Sequence, residues 1–133
     1  QGWFLKRLGC FSINQLSPSI SALRYAVNLI EGKKQLVVFP EGKINKDGKK
    51  LILKEGLYRL ARLGTNKTTS IIIIPIGIAY SKLSPRFRGS FSLCFGEPLF
   101  FNDYLNTSIK DFNQILYSEM IKAEKIALNK VGR

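Results

Sequence analysis

The chain has 133 residues, of which 45% are apolar and 23% are charged, and it carries a formal net charge of +12 with no His. This length suits one domain with a buried core, and the apolar fraction excludes wholesale disorder. The longest apolar run, residues 71–80, contains Pro75 and Gly77. It falls well short of the ~18 apolar residues that a membrane-spanning helix needs.

The first half of the chain predicts two strands that alternate with two helices. A short strand is predicted at residues 11–13. A helix then begins at Ser17-Pro18, since Ser is a good N-cap and Pro is favoured at the first helical position, and it ends at Gly32. The apolar run 35–39 predicts a buried strand. A turn-rich loop and a helix over residues 55–63 follow it.

The second half predicts two more strands and a long helix. Residues 71–79 and 91–95 are rich in β-branched and aromatic residues and predict strands joined by a basic loop. Ser108 and Asp111 form a capping box that opens an amphipathic helix over residues 108–129. This order of elements predicts an α/β fold, in which a mostly parallel central sheet is flanked by helices in a single domain over residues 1–133.

Positive charge is concentrated in one part of the chain. Between Gly32 and Lys67 there are ten Lys or Arg and three Asp or Glu, a balance of +7. Such a segment favours an anionic partner, which can be a phosphate-bearing substrate, an anionic lipid surface or a nucleic acid. A solvated basic face is the alternative. Cys10 and Cys94 lie far apart without metal-ligand spacing, and we expect two buried free thiols.

The stretch Phe39-Pro40-Glu41-Gly42 is the most informative motif. It places a carboxylate between Pro and Gly at the end of the predicted strand 35–39. Ligand sites of α/β proteins lie at such strand ends. A tight turn that carries a Glu by chance is the simpler interpretation, since Pro and Gly are ordinary turn residues.

Three motifs in order resemble the glycerolipid (lysophosphatidate) acyltransferase family. They are Gly9-Cys10-Phe11-Ser12-Ile13-Asn14-Gln15, then Phe39-Pro40-Glu41-Gly42, then Ile73-Ile74-Pro75-Ile76. The sequence Lys54-Glu55-Gly56 adds to the resemblance. The family's blocks are His-x4-Asp, Gly-x-x-Phe-x-x-Arg, Phe-Pro-Glu-Gly-Thr/Ser and apolar-Pro-apolar. The first of these four blocks is absent from the chain.

The resemblance implies that the missing His is the general base that takes the proton of the acceptor hydroxyl. No other residue type here suits that task, because Lys is protonated at neutral pH and a carboxylate is a weak base. Only eight residues precede Gly9. We therefore expect the chain to be the C-terminal portion of a catalytic domain, inactive alone, with the catalytic residues outside it. A homologue that has lost the His-x4-Asp block is the alternative.

The resemblance also implies a substrate-binding set, with no metal. Gln15 stands where the family has Arg, so a phosphate-binding cation is missing there, while Lys43 stands where the family has Thr or Ser. We expect Lys43 to supply the lost charge. Pro75 is expected beside the acyl-chain path or at a bend of the strand. The expected substrate-binding residues are Gln15, Phe39, Pro40, Glu41, Gly42, Lys43, Lys54 and Gly56.

The implied activity is transfer of a fatty acyl group from acyl-CoA or acyl carrier protein to a lysophospholipid or glycerol-phosphate-type acceptor in phospholipid synthesis. No cofactor is expected beyond this acyl donor. The expected location is the cytoplasmic face of a membrane, with an anionic membrane surface as partner. A non-catalytic lipid-binding homologue is the first alternative. A nucleic-acid-binding domain is the second, and we expect no nucleic acid because the aromatic residues follow core patterns.

Overall fold

A computed structural model of the chain describes residues 2–11, 20–43, 52–65, 70–82 and 88–133. Contacts divide the chain into two compact units, Gln1–Thr68 and Thr69–Arg133, called unit 1 and unit 2 below. Helices and small sheets together give a mixed α and β structure. A single domain over residues 1–133 stays a prediction.

Unit 1 is helical in its described part. Its helices are α1 (Gly2–Arg7), α2 (Ile20–Glu31) and α3 (Gly56–Thr65). Helices α2 and α3 were predicted, whereas α1 was not. The start predicted for α2 at Ser17-Pro18 lies outside the described residues. The core of this unit joins Ala26 and Val27 of α2 to Leu60 of α3, and Phe11, Ile30 and Leu36 pack against it.

Unit 2 holds all the strands that the described residues form. They are β1 (Ile72–Ile73), β2 (Ile76–Tyr80), β3 (Phe91–Phe95) and β4 (Leu99–Phe100). A 3₁₀ turn, Phe101–Tyr104, leads to the long helix α4, Ile109–Lys130. The predicted strand 91–95 is confirmed, and the predicted strand 71–79 is divided into β1 and β2.

The strands pair in two antiparallel ladders. Strand β1 pairs with β4, and β2 pairs with β3 in a register that sets Ile76 opposite Phe95 and Tyr80 opposite Phe91. No parallel pair occurs among the described residues. The mostly parallel central sheet of the sequence analysis is therefore not confirmed, and it stays a prediction.

The predicted strand 35–39 is wrong. Residues 34–39 have no regular secondary structure, and the side chains of Val37 and Phe39 are 73% and 71% exposed. An apolar run becomes a strand only where a neighbouring strand takes up its backbone N–H and C=O groups. The described residues of unit 1 include no strand that could do so.

The thiols also differ from expectation. Cys10 is exposed, and Cys94 on β3 is half-buried. The expectation of two buried thiols is therefore wrong, most clearly for Cys10. Cys10 lies in the turn after α1, and every described side chain from residue 3 to residue 10 is exposed.

Helix α4 begins and packs as its sequence predicts. The Ser108 hydroxyl accepts a hydrogen bond from the Asp111 backbone N–H at 3.1 Å and so satisfies one of the first N–H groups of the helix. One stripe of α4 faces the core of unit 2, and its buried members are Phe112, Leu116, Ala123 and Ala127. The ring of Phe112 meets Phe101 edge-on at 5.3 Å between centroids, and both side chains are fully buried.

Strand β2 approaches α4 so closely that Gly77 has no room for a side chain. A Cβ atom at Gly77 would overlap the backbone of Ala123 and Glu124. A Cβ at Gly96, beyond the end of β3, would meet only ordinary contacts, the nearest being the Pro75 carbonyl oxygen at 3.4 Å. Gly77 is therefore a packing requirement of unit 2.

Gly77→Ala is expected to lower the free energy of unfolding by about 3 kcal/mol, because a backbone clash forces β2 and α4 apart. Chemical denaturation followed by far-UV circular dichroism measures this loss. Gly96→Ala is the matched control and is expected to cost less than about 1 kcal/mol. Equal stability of the two variants would show that β2 and α4 are farther apart in solution.

Candidate functional site

The Phe-Pro-Glu-Gly motif forms a hydrogen-bonded turn in unit 1. The Gly42 N–H donates to the Phe39 carbonyl at 3.1 Å, and Gly42 has a φ of +66°. Pro at the second position and Gly at the fourth are the favoured residues of a type I turn. A positive φ suits Gly, since a Cβ in that conformation costs about 1–2 kcal/mol. The chemistry of these residues therefore determines the shape of the motif.

This turn is tied to the start of α3. The Lys54 N–H donates to the Pro40 carbonyl at 2.7 Å, and α3 begins two residues later at Gly56. Pro40 is buried, whereas Lys54 and Gly56 are exposed. One backbone hydrogen bond thus brings together residues of two predicted binding motifs that are 14 positions apart in sequence.

Glu41 is half-buried on this turn. Within the described part of the chain, no residue forms an ion pair with it. Glu55, near the same place, is engaged in a different way, because its carboxylate accepts from the Arg59 guanidinium at 2.7 Å along α3. Glu41 is thus the carboxylate of the motif that remains available to a ligand or to a cation.

Both predicted cations, Lys43 and Lys54, follow the turn in sequence. Lys43 follows Gly42 directly and is exposed, as is Lys54. The N-terminus of α3 adds a partial positive charge, which the aligned peptide dipoles of a helix produce. Exposed ammonium groups beside a helix N-terminus are suited to binding an anion such as phosphate.

Two of the predicted site residues, Gln15 and Pro75, are not among the described residues of unit 1. Gln15 lies outside the described residues, so its relation to Lys43 stays a prediction. Pro75 belongs to unit 2, where it is buried between β1 and β2, and its carbonyl accepts from the Gly96 N–H at 2.8 Å. It interrupts the strand, as expected of a residue without a backbone N–H. The acyl-path role and the bend both stay open for Pro75.

The described residues contain no group of three or more His, Cys, Asp or Glu side chains that could hold a metal ion. Within the same ranges, no helix is both long and apolar enough to cross a membrane.

Helix α1 was not predicted, and its exposed Trp3 and Phe4 precede Lys6 and Arg7. The recurrence of apolar residues at positions 4 and 8 would have indicated a short helix there.

Comparison with known families agrees with the motif order. The family model described as Acyltransferase matches residues 1–79 of the chain, more than half of its length. The chain belongs to the acyltransferase family. The match includes the turn at Phe39–Gly42, the start of α3 and Pro75. No curated protein and no solved structure matches the chain.

The positive φ at Gly42 can be tested by substitution in this acyltransferase. Gly42→Ala is expected to lower the free energy of unfolding by about 1–2 kcal/mol, because Ala disfavours a positive φ. Thermal unfolding would register this as a melting temperature several degrees lower.

Gly56→Ala provides the matched control. The φ of Gly56 is not positive, and a Cβ atom at this residue would meet nothing within 4 Å. Ala also favours the helical conformation by roughly 0.5–1 kcal/mol relative to Gly. Gly56→Ala should thus be neutral or stabilising. Equal melting temperatures of the Gly42→Ala and Gly56→Ala variants would contradict the positive φ of Gly42.

Proposed function

We propose that this acyltransferase chain binds and orients a lysophospholipid or glycerol-phosphate-type acceptor during fatty acyl transfer from acyl-CoA or acyl carrier protein. The reaction forms an ester at the acceptor hydroxyl and releases the thiol of the donor. We further propose that it serves phospholipid synthesis at the cytoplasmic face of a membrane. The family match over residues 1–79 carries the proposal of acyl transfer, and the turn at Phe39–Gly42 carries the proposal of acceptor binding.

The proposed role of Glu41 is to orient the acceptor. A carboxylate repels the phosphate of the acceptor but accepts a hydrogen bond from a glycerol hydroxyl. Its half-buried position, with no ion pair to a described residue, supports this role. Correct orientation of a reacting group accelerates a reaction because the two reactants need not find each other in solution.

The proposed phosphate-binding groups are the cations beside the turn. The side chains of Lys43 and Lys54 are exposed. The Lys54 backbone N–H is hydrogen-bonded to the Pro40 carbonyl, and α3 begins two residues after Lys54. Charge-assisted hydrogen bonds to phosphate are about twice as strong as neutral ones. The net charge of +12 would also attract an anionic acceptor or an anionic lipid surface over longer distances.

The proton-transfer step is assigned to no residue of this chain. The 133 residues include no His, and the remaining side chains are poor general bases at neutral pH. The proposal is therefore that these residues bind and position the acceptor, with the general base supplied from outside them. A non-catalytic lipid-binding homologue would bind the same acceptor without turnover in the full-length protein.

Glu41→Gln in the full-length protein is expected to lower kcat/KM by about ten- to a hundredfold. The reason is that a hydrogen bond from the glycerol hydroxyl to a charged carboxylate contributes about 1.5–3 kcal/mol. Release of free thiol from acyl-CoA in the presence of lysophosphatidate measures the rate. Glu97→Gln is the matched control, since Glu97 is exposed and also neighbours a Pro. Wild-type turnover by Glu41→Gln would reduce Glu41 to an ordinary turn residue.

Lys43→Ala is expected to raise the KM for the acceptor by about ten- to a hundredfold, through loss of a charged hydrogen bond to phosphate. Steady-state kinetics with varied lysophosphatidate provides the measurement. Lys34→Ala removes an exposed ammonium group outside the site and should leave the KM unchanged. If Lys43→Ala also leaves it unchanged while Lys54→Ala raises it, then Lys54 rather than Lys43 binds the phosphate.

A further inference from the structure

Helix α1 exposes an unusual concentration of large apolar side chains. Trp3, Phe4 and Leu8 are 69%, 61% and 64% exposed, and every described side chain from residue 3 to residue 10 is exposed. The helix has only six residues and ends in a turn, where the Cys10 N–H donates to the Leu5 carbonyl at 3.0 Å and Gly9 has a φ of +82°. Such a short helix gains little stability by itself in water.

The residues of α1, together with Leu8 directly after it, separate into two sides. At 3.6 residues per turn, Phe4, Leu5 and Leu8 lie on one side, whereas Lys6 and Arg7 lie on the other with Trp3. The Arg7 guanidinium stacks over the Trp3 ring at 4.4 Å from its centroid. A helix with Phe and Leu on one side and cations on the other is typical of segments that lie in a membrane interface, where Trp is also enriched.

The charge of the first thirty residues indicates which kind of surface would cover α1. The first thirty residues contain Lys6, Arg7 and Arg24 but no Asp or Glu. An anionic surface complements this charge, whereas a second copy of the chain would bring Lys6 and Arg7 against their own equivalents and repel them. We propose that α1 docks onto the interface of an anionic lipid bilayer, with Phe4, Leu5 and Leu8 inserted and Lys6 and Arg7 at the head groups.

This docking surface deepens the proposed function, which puts acyl transfer at a membrane surface. The two proposals can fail separately, because vesicle binding is measured without an acyl donor. Glu41→Gln, which is expected to reduce turnover, should bind vesicles as the wild type does.

Trp3 is the single Trp of the chain and therefore reports on α1 directly. Vesicles of phosphatidylcholine mixed with phosphatidylglycerol should shift its emission to the blue and protect it from acrylamide. Lipids that carry a quencher just below the head group should quench it. Vesicles of phosphatidylcholine alone should have a much smaller effect, and rising salt should weaken binding to the anionic vesicles, since it screens exposed charges.

Variants at exposed positions separate the two sides of α1. Lys6→Gln with Arg7→Gln should weaken partition onto the anionic vesicles by about thirtyfold, the effect of two cations near an anionic surface. Phe4→Ser with Leu8→Ser should weaken it by at least about tenfold, through the loss of inserted apolar area. The control is the double variant Lys33→Gln with Lys34→Gln, which removes the same amount of charge just after α2. It should weaken partition onto the anionic vesicles by less than about threefold. Circular dichroism verifies that each variant folds.

Two results would overturn the proposal. The first is vesicle binding, measured by sedimentation, that leaves the Trp3 emission and its acrylamide quenching unchanged. The second is a Trp3 blue shift without lipid that grows with protein concentration, which would mean that a second copy covers α1.

Discussion

The close approach of β2 to α4 is the constraint on which unit 2 depends. Gly77 allows the strand backbone to lie against the helix backbone at Ala123 and Glu124, where any side chain would clash. The other inward residues at this contact are small as well, notably Ala79, Ala123 and Ala127. Larger apolar groups are consequently buried near the start of the helix, where Phe101 and Phe112 stack edge-on. The same register turns Ile78, Tyr80 and Phe91 outward.

In unit 1 the candidate site likewise depends on main-chain geometry. The hydrogen bond from Lys54 to Pro40 fixes the turn to the start of α3, and Gly42 closes the turn with a positive φ. Neither feature needs residues 35–39 to be a strand, so the motif keeps its shape although that prediction is wrong. The side chain of Glu41 is thereby presented between two residues, Pro40 and Gly42, whose backbone groups are hydrogen-bonded, and Lys43 follows directly. A rigid presentation reduces the entropy that binding an acceptor would cost.

The local features of the fold could be predicted from the sequence, and the non-local ones could not. Helices α2, α3 and α4 were predicted from their apolar periodicity, and the capping of α4 by Ser108 was predicted from residue types alone. These features depend on neighbours three or four residues away. Strand pairing depends on partners far along the chain, and for that reason the apolar run 35–39 was misassigned and the antiparallel ladders were not predicted.

The candidate site was predictable to a similar degree. Motif order pointed to the turn, which lies within the residues that the family model matches. The contact between Pro40 and Lys54 was not predicted, because a hydrogen bond between backbone groups leaves no mark in residue types. Gly77 was noted only as part of an apolar run. An isolated Gly within a strand pattern does indicate close backbone approach, but it does not identify the element that approaches.

The chain contains no His, which is the side chain that most often serves as a general base. A general base typically contributes a factor of 10²–10⁴ to the rate, and the proposed function assigns this contribution to a residue outside these 133. Binding of the phosphate and orientation of the hydroxyl are contributions of another kind. Interactions with parts of a substrate that do not react can hold the reacting groups in position. The proposed roles divide in this way, because Lys43 would bind a group remote from the reaction, whereas Glu41 would orient the hydroxyl that reacts. Removal of the Lys43 ammonium group should therefore raise the KM for the acceptor, whereas removal of the Glu41 carboxylate should also lower kcat.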